Sequence, residues 1–444
     1  MKDCVIKAPC GALRGREENG VCFFRGTPYA RTERFQLPEP IPAWEGVRDA
    51  LGPEIDCWQY SSFRDDATGE GAFFYKEFRQ GMDFRYSESP MTLNIVAPAN
   101  AENAPVLLFI HGGGHETGTV GELPYGLCSA YAGENIIFVS VGYRLNVFSL
   151  YENLNLGLHD QIAAIRWVRE NIGAFGGNGA SITLIGQSAG AMSITDLLYS
   201  DKLKGLVSGA VLMSGGGAIP SLAGPWPGEK TAPFWRKVRA AAGVWSEEDF
   251  RALPPRELWE AWFKVCRAEY DFHLVQPGID GDIIPDEPGK LLRQGKCLDI
   301  PLIFGVTSQD FLAPIVYFMA RRWAATAARL GKAPVYGYFF DRTPPGESYK
   351  AFHSVDLWYA FGEMERCWRP FEETDLALSR QMMAYIVNFV RRGDPIGETL
   401  PKWPALSGSQ TGLRKLDGVS EGLAYPAECW GKTIKSFFWD KGPM

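Results

Sequence analysis

Along the chain, short apolar runs alternate with stretches in which apolar positions recur every three or four residues. Six of the runs, Val106–Ile110, Ile136–Val141, Ile182–Gly186, Ala210–Ser214, Pro301–Val306 and Val335–Phe340, have the length and composition of strands covered on both faces. Between two of them, Ile162, Ile165, Val168 and Ile172 recur at helical spacing, with Asp160 at the start of the segment and Gly176-Gly177 at its end as punctuation. The alternation predicts an α/β fold, a mostly parallel central sheet flanked by helices. The Gly/Pro-rich stretches 215–233 and 341–348 read as loops. From about Phe234 to Arg267 the pattern is helical and rich in tryptophan. This predicts a reduced helical cap or wall, spanning about 218–275, laid beside the sheet.

Composition narrows the class. The 444 residues are 46% hydrophobic and 22% charged, enough to bury a large core without cross-links. No repeat, low-complexity tract or long linker divides them, so one domain over residues 1–444 is expected. A net charge of −7 gives no general attraction to nucleic acid or to anionic membrane. The first twenty residues lack the apolar core of a signal peptide, and Arg144 interrupts the most apolar run, Ile136–Leu150. A soluble, unexported, cytoplasmic protein is the expectation. Nine cysteines without CxxC spacing predict buried free thiols rather than a zinc site or a disulfide framework.

The chemistry gathers at Gly186-Gln187-Ser188-Ala189-Gly190. GxSxG alone arises by chance in roughly one such glycine-rich chain in a few. Here a buried strand leads into the serine and a helix of small residues leads out. A strand-to-helix turn this sharp strains the serine and lifts its hydroxyl above the sheet edge, provided that its neighbours lack bulk. Ser188 is therefore the candidate nucleophile. Upstream, Val106–Ile110 runs into Gly112, Gly113 and Gly114, whose backbone N–H groups, with that of Ala189 at a helix start, would form an oxyanion hole. No Lys-Ser/Thr follows these glycines, which argues against a phosphate loop. Of the five histidines, His111, His115 and His159 precede the serine, leaving His273 and His353; His353 follows the strand Val335–Phe340 and a loop, where a base belongs. Asp310, four residues after the strand Pro301–Val306, is the candidate acid ahead of Asp280, Asp282 and Asp341.

These residues resemble the type-B carboxylesterase family, the group with the cholinesterases and many bacterial esterases, over nearly the whole chain. FFRGTPYA (23–30), SESPMTLNIVAP (87–98), GYRLN (142–146), DQIAAIRWVRENIGAFGGN (160–178), GQSAGA (186–191), GIDGDIIPDEP (278–288), GVTSQD (305–310) and AFHSVDLWYAFG (351–362) follow its motifs in order. The resemblance implies an α/β-hydrolase fold and a carboxylesterase. It also implies Ser188 as nucleophile, His353 as base, Asp310 as acid where the family usually has Glu, and Gly113, Gly114 and Ala189 as oxyanion donors. A small-molecule ester would be the substrate and no cofactor or metal is implied. The same triad could serve thioesters, lactones, carbamates or activated amides, and a non-catalytic binding module is the rival from another class. Departures from the pattern are informative. Gln187 stands where an acid usually precedes the serine, which disfavours cationic substrates. Pro90 replaces a cysteine that would pair with one such as Cys57, and so favours a reducing compartment. His115 and Phe311 would alter the acyl pocket, although His115 serves equally well as a structural hydrogen-bonding group. Only 43 positions separate Asp310 from His353, which predicts a shallower, more open site.

Overall fold

The six apolar runs become six adjacent strands of one sheet, in the order Ile137–Val141, Ala104–Ile110, Gly177–Gln187, Gly209–Met213, Leu302–Thr307 and Val335–Phe340, every neighbouring pair parallel. Leu413–Leu416 adds a further parallel strand. The computed structural model describes residues 2–60, 66–152, 154–217, 231–269, 276–346 and 349–439. Successive side chains serve two cores, one on each face of the sheet. Val106, Leu108 and Ile110 enter one, and Leu107 and Phe109 the other, which is why the runs carry no polar alternation.

Outside this parallel centre lies an antiparallel wing that the apolar runs do not announce. Lys2–Ala8, Gly11–Glu18, Val21–Pro28 and Thr92–Pro98 pair in sequence order and dock antiparallel on Ile137–Val141. The sheet is therefore mixed, thirteen-stranded among the described residues. The outermost strand has no buried residue, so its sequence needs no continuous hydrophobic run.

The helix expected from Asp160 begins four residues earlier and runs Leu156–Asn171, with Ile162, Ile165 and Val168 inward. Asp160 is not its cap. It is buried inside the helix, where both carboxylate oxygens accept bonds from the Arg144 guanidinium at 2.7 and 2.8 Å. Gly176, at φ 81°, closes the following 3-10 turn, as its sequence position implies. In the expected cap segment the described residues form three helices, Ala232–Ala241, Glu247–Ala252 and Pro255–Glu269. Residues 218–230 and 270–275, and with them most of the 215–233 loop and His273, lie outside the described residues, as do the last two positions of the 341–348 loop. Among the described residues no helix is long and apolar enough to cross a membrane.

All nine cysteines are free. Cys57 is buried and its sulfur accepts a bond from the Leu145 N–H at 3.2 Å. Burial pushes its thiol pKa up, outweighing that bond.

Candidate active site

Parallel strands end on the same edge, and the chain leaves that edge at Ile110, Gln187, Met213, Thr307 and Phe340. The sequence-predicted residues sit on the segments that follow, the position at which such sheets present ligands.

The turn at Ser188 has φ 54° and ψ −124°, a conformation that costs about 1–3 kcal/mol for a residue with a side chain. It is held from both sides: the Ser188 N–H donates to the Met213 carbonyl at 2.8 Å, and its carbonyl accepts from Met192 at 3.0 Å. The helix Ala189–Leu197 can lie this close to the sheet only because two positions lack side chains. A Cβ on Gly190 would fall 2.0 Å from the Ile110 carbonyl oxygen, and one on Gly186 would fall 2.6 Å from the Gly190 carbonyl carbon.

Above the same edge, Gly113 and Gly114 adopt φ 104° and 67°. A Cβ on Gly113 would meet the Thr117 oxygen at 2.0 Å, so this loop is built for glycine. Behind it, His115 is buried and bonded at both ring nitrogens, to Gln276 at 2.7 Å and to Ser193 at 3.0 Å. Gln276 in turn donates to the Gly114 carbonyl at 3.2 Å. Burial lowers the His115 pKa to about 4, so the ring is neutral. His115 is thus a tie between the glycine loop and the helix after Ser188, and it does not line the cavity that Ser188 faces.

Asp310 and His353 come together because the strands before them are neighbours. The ladder continues past the sheet as the Ser308 N–H to Phe340 carbonyl bond, the Gln309 N–H to Ala351 carbonyl bond and a parallel bridge between Gln309 and Phe352. His353 Nδ1 donates to Asp310 Oδ1, which also accepts the Phe311 N–H at 2.9 Å, while Oδ2 accepts the Thr307 N–H at 3.2 Å. An ionised carboxylate only accepts, so the Nδ1 proton is fixed and Nε2 carries the lone pair. That Nε2 meets the Gln187 carboxamide nitrogen at 3.1 Å rather than the Ser188 hydroxyl. Gln187 therefore touches the base directly, beyond the specificity role that its place before the serine suggests.

One acid escaped the sequence reading. Asp356, a helical turn after His353, is fully buried, accepts the Tyr338 hydroxyl at 2.6 Å through Oδ2, and leaves Oδ1 without a partner. Burial raises its pKa to about 6. Burial alone would lower the His353 pKa, but the charge and hydrogen bond of Asp310, helped by Asp356, raise it above the ordinary value. Its i+3 spacing from His353 was the available signal.

Ser188, Ala189, Gly112, Gly113, Gly114, Gln187, Asp310, Phe311 and His353 all line one cavity of 650 Å³, within the usual size of a small-molecule site. Phe74, Phe78, Phe109, Tyr125, Tyr349 and Phe352 give it an aromatic wall, and Ile315, Val316 and Met319 an aliphatic one. Arg79 and Glu122, paired at 2.8 Å, belong to the lining as well. The mouth is open to solvent: the His353 side chain is 24% exposed and Phe311 51%. Among the described residues no group of three or more His, Cys, Asp or Glu could hold a metal ion. The arrangement can supply a strained hydroxyl, a neutral imidazole with a fixed tautomer and a glycine loop for an anion, all facing one apolar volume.

Comparison with known proteins gives consistent matches along the chain. The model of the carboxylesterase family matches residues 2–323 and 311–421. A para-nitrobenzyl esterase of Bacillus subtilis is 30% identical over 91% of this chain and 93% of its own. A human cocaine esterase is 28% identical over 87% of this chain and 82% of its own. Among solved structures, a PNB esterase superposes with a TM-score of 0.84 at 27% identity, covering 97% of this chain and 99% of the other. A carboxylesterase of Geobacillus stearothermophilus gives 0.79 at 26% identity with the same coverage.

Proposed function

The chain belongs to the carboxylesterase family and is an ester-hydrolysing enzyme, and from that premise we propose that it cleaves carboxylic esters through an acyl-enzyme on Ser188. The observation that carries the reading is the chain of contacts from Asp310 to His353 beside a serine held at positive φ, in one cavity with a glycine loop.

In this mechanism the ester enters and His353 Nε2 leaves the Gln187 amide for the Ser188 hydroxyl. As Ser188 Oγ attacks the carbonyl carbon, its proton passes to Nε2, and Asp310 stabilises the imidazolium. The carbonyl oxygen becomes an oxyanion facing the N–H groups of Gly113, Gly114 and Ala189; each such donor is worth about a hundred- to a thousand-fold in rate. The imidazolium returns the proton to the departing alkoxide oxygen, and the alcohol leaves. Water then repeats the sequence on the acyl carbon, releasing the acid and restoring Ser188. The aromatic and aliphatic walls receive the two apolar portions of the ester, which makes uncharged substrates the best fit.

The test is hydrolysis of nitrophenyl esters from acetyl to dodecanoyl by wild type and by Ser188→Ala. Turnover with a chain-length optimum in wild type, and a folded variant whose rate falls at least about a thousand-fold, is the expected outcome. A folded variant that retains wild-type turnover would remove Ser188 from the chemistry.

A further inference from the structure

A second cavity, of 830 Å³, lies along a different face of the helix Ala313–Leu330 and shares no lining residue with the cavity that holds Ser188. Its walls are that helix, the loop around Ser407–Thr411 and the start of the helix Pro426–Trp439. Two features make it unlike ordinary surface. Its lining carries large aromatic groups in partial contact with water, Phe318 at 46% and Trp430 at 43% exposure, over the buried ring of Tyr317. It also carries Arg321, Arg322 and Arg329 and no acidic residue.

The grouping of three arginines on one acid-free groove is the sharper signal. The chain has 52 acidic against 45 basic residues, and many of its arginines pair with an acid. Arg14, Arg25, Arg144, Arg239 and Arg342 are examples. Among the described residues, Arg321, Arg322 and Arg329 have no carboxylate partner. Phe318, Arg322, Ala325 and Arg329 follow one another at three- and four-residue steps, so the guanidinium groups share a helix face with the aromatic ring. Arg321 and Arg322 are adjacent and Arg329 lies two turns further along the same helix; three uncompensated cations along one groove repel one another, and an anion between them relieves that repulsion.

We propose that this groove binds a free amphipathic carboxylate of fatty-acid size, its head held by Arg321, Arg322 and Arg329 and its tail laid over Tyr317, Phe318 and Trp430. A guanidinium fork matches a carboxylate in a bidentate manner. The concave apolar floor calls for a chain of carbons behind that head, which a small inorganic anion lacks. The net charge of −7 opposes adsorption to an anionic bilayer, so the ligand is the free amphiphile and not a membrane surface. The inference does not depend on the catalytic reading, since the two cavities share no side chain.

Equilibrium dialysis with labelled dodecanoate, on wild type and on the Arg321→Gln/Arg322→Gln/Arg329→Gln variant, tests this. The wild type is expected to hold one equivalent more than the variant, with affinity at the lost site falling at least about tenfold and wild-type binding weakening as salt rises. Dodecyltrimethylammonium, acetate and inorganic phosphate are expected not to compete. Equal uptake by both proteins, or competition by the cationic amphiphile, would overturn the proposal. Displacement by phosphate alone would reduce the groove to a simple anion site, and binding to anionic vesicles without dodecanoate uptake would make it a membrane contact; either result overturns it too. Hydrolysis of nitrophenyl acetate by the variant reports its fold and an intact catalytic cavity. Should the triple change prove damaging, Arg322→Gln and Arg329→Gln, both at exposed positions, answer singly.

Discussion

In the proposed mechanism His353 is the residue on which the pH behaviour of the enzyme turns. It acts as a base only when neutral, and Asp310 and Asp356 both hold its pKa above the ordinary value of about 6.5. Activity is therefore expected to fall as pH drops through that raised value, with the midpoint of kcat/KM above 6.5. Asp356→Asn removes one of the two carboxylates acting on the ring, so the acidic limb should move to lower pH. Gln187→Glu puts a carboxylate where an amide now donates to Nε2, favours the imidazolium, and should move the limb upward by about one unit or more. The two shifts in opposite directions are read from kcat/KM profiles between pH 5 and 9; a limb that stays put in both variants would mean that His353 is not the titrating group. Legibility at this scale was uneven for a physical reason. Ser188, Gly113 and Gly114 are marked by backbone demands that only a few residue types meet. Gln187 could be placed next to the serine but not against the imidazole, because that contact depends on the side chain's direction in three dimensions.

At the scale of elements, the site is a set of strand ends held in register by few contacts. The Ala189–Leu197 helix touches the sheet through Gly186 and Gly190, so Gly190→Ala must push the helix away from the Ile110 carbonyl. A change of that kind costs about 1–3 kcal/mol in a close-packed interior, and it should cost activity out of proportion, because it moves Ser188 relative to Gly113. Urea midpoints and kcat on the same preparations separate the two effects. His115 offers a milder test of the same geometry. His115→Phe keeps the ring volume and breaks the bonds to Gln276 and Ser193, leaving the glycine loop tied to the helix less firmly. A fall in kcat of about tenfold with little change in KM is the expected result; a change confined to KM would instead give His115 a part in substrate binding. The apolar runs located five of the six central strands to within two residues at both ends. The exception is Gly177–Gln187, whose first five residues, Gly, Asn, Gly, Ala and Ser, gave no hydrophobic signal.

Across the whole molecule, the parallel centre was legible because both of its faces are buried, whereas the antiparallel N-terminal wing has half-exposed strands such as Lys2–Ala8 and Gly11–Glu18 that do not form continuous runs. Equally silent in the sequence was the tie that closes the aromatic wall of the cavity that holds Ser188. Glu77, on the segment that carries Phe74 and Phe78, is fully buried and accepts from Arg369 at 2.9 and 3.0 Å, from the Trp358 indole at 3.0 Å and from the Trp368 indole at 2.9 Å. Nearly three hundred positions separate these partners, so no local pattern could pair them. Trp358 belongs to the helix Asp356–Phe361 just after His353, and the same carboxylate thus joins the wall of the cavity to the segment that carries His353. Both members of the ion pair have 0% side-chain exposure. Removing one leaves the other charged and out of reach of water, which costs about 3–5 kcal/mol, whereas replacing both by apolar groups of similar volume is often close to neutral. Glu77→Met is accordingly expected to lower stability by that amount in urea denaturation, and Glu77→Met/Arg369→Met to recover most of it. If the tie also sets the shape of the aromatic wall, the double variant should still show a raised KM for aryl esters at near-normal stability. Its kcat on acetyl esters, which the proposed mechanism ties to Ser188 and His353, should stay close to wild type. A double variant as unstable as the single one would instead assign the cost to the lost indole bonds and not to the stranded charge.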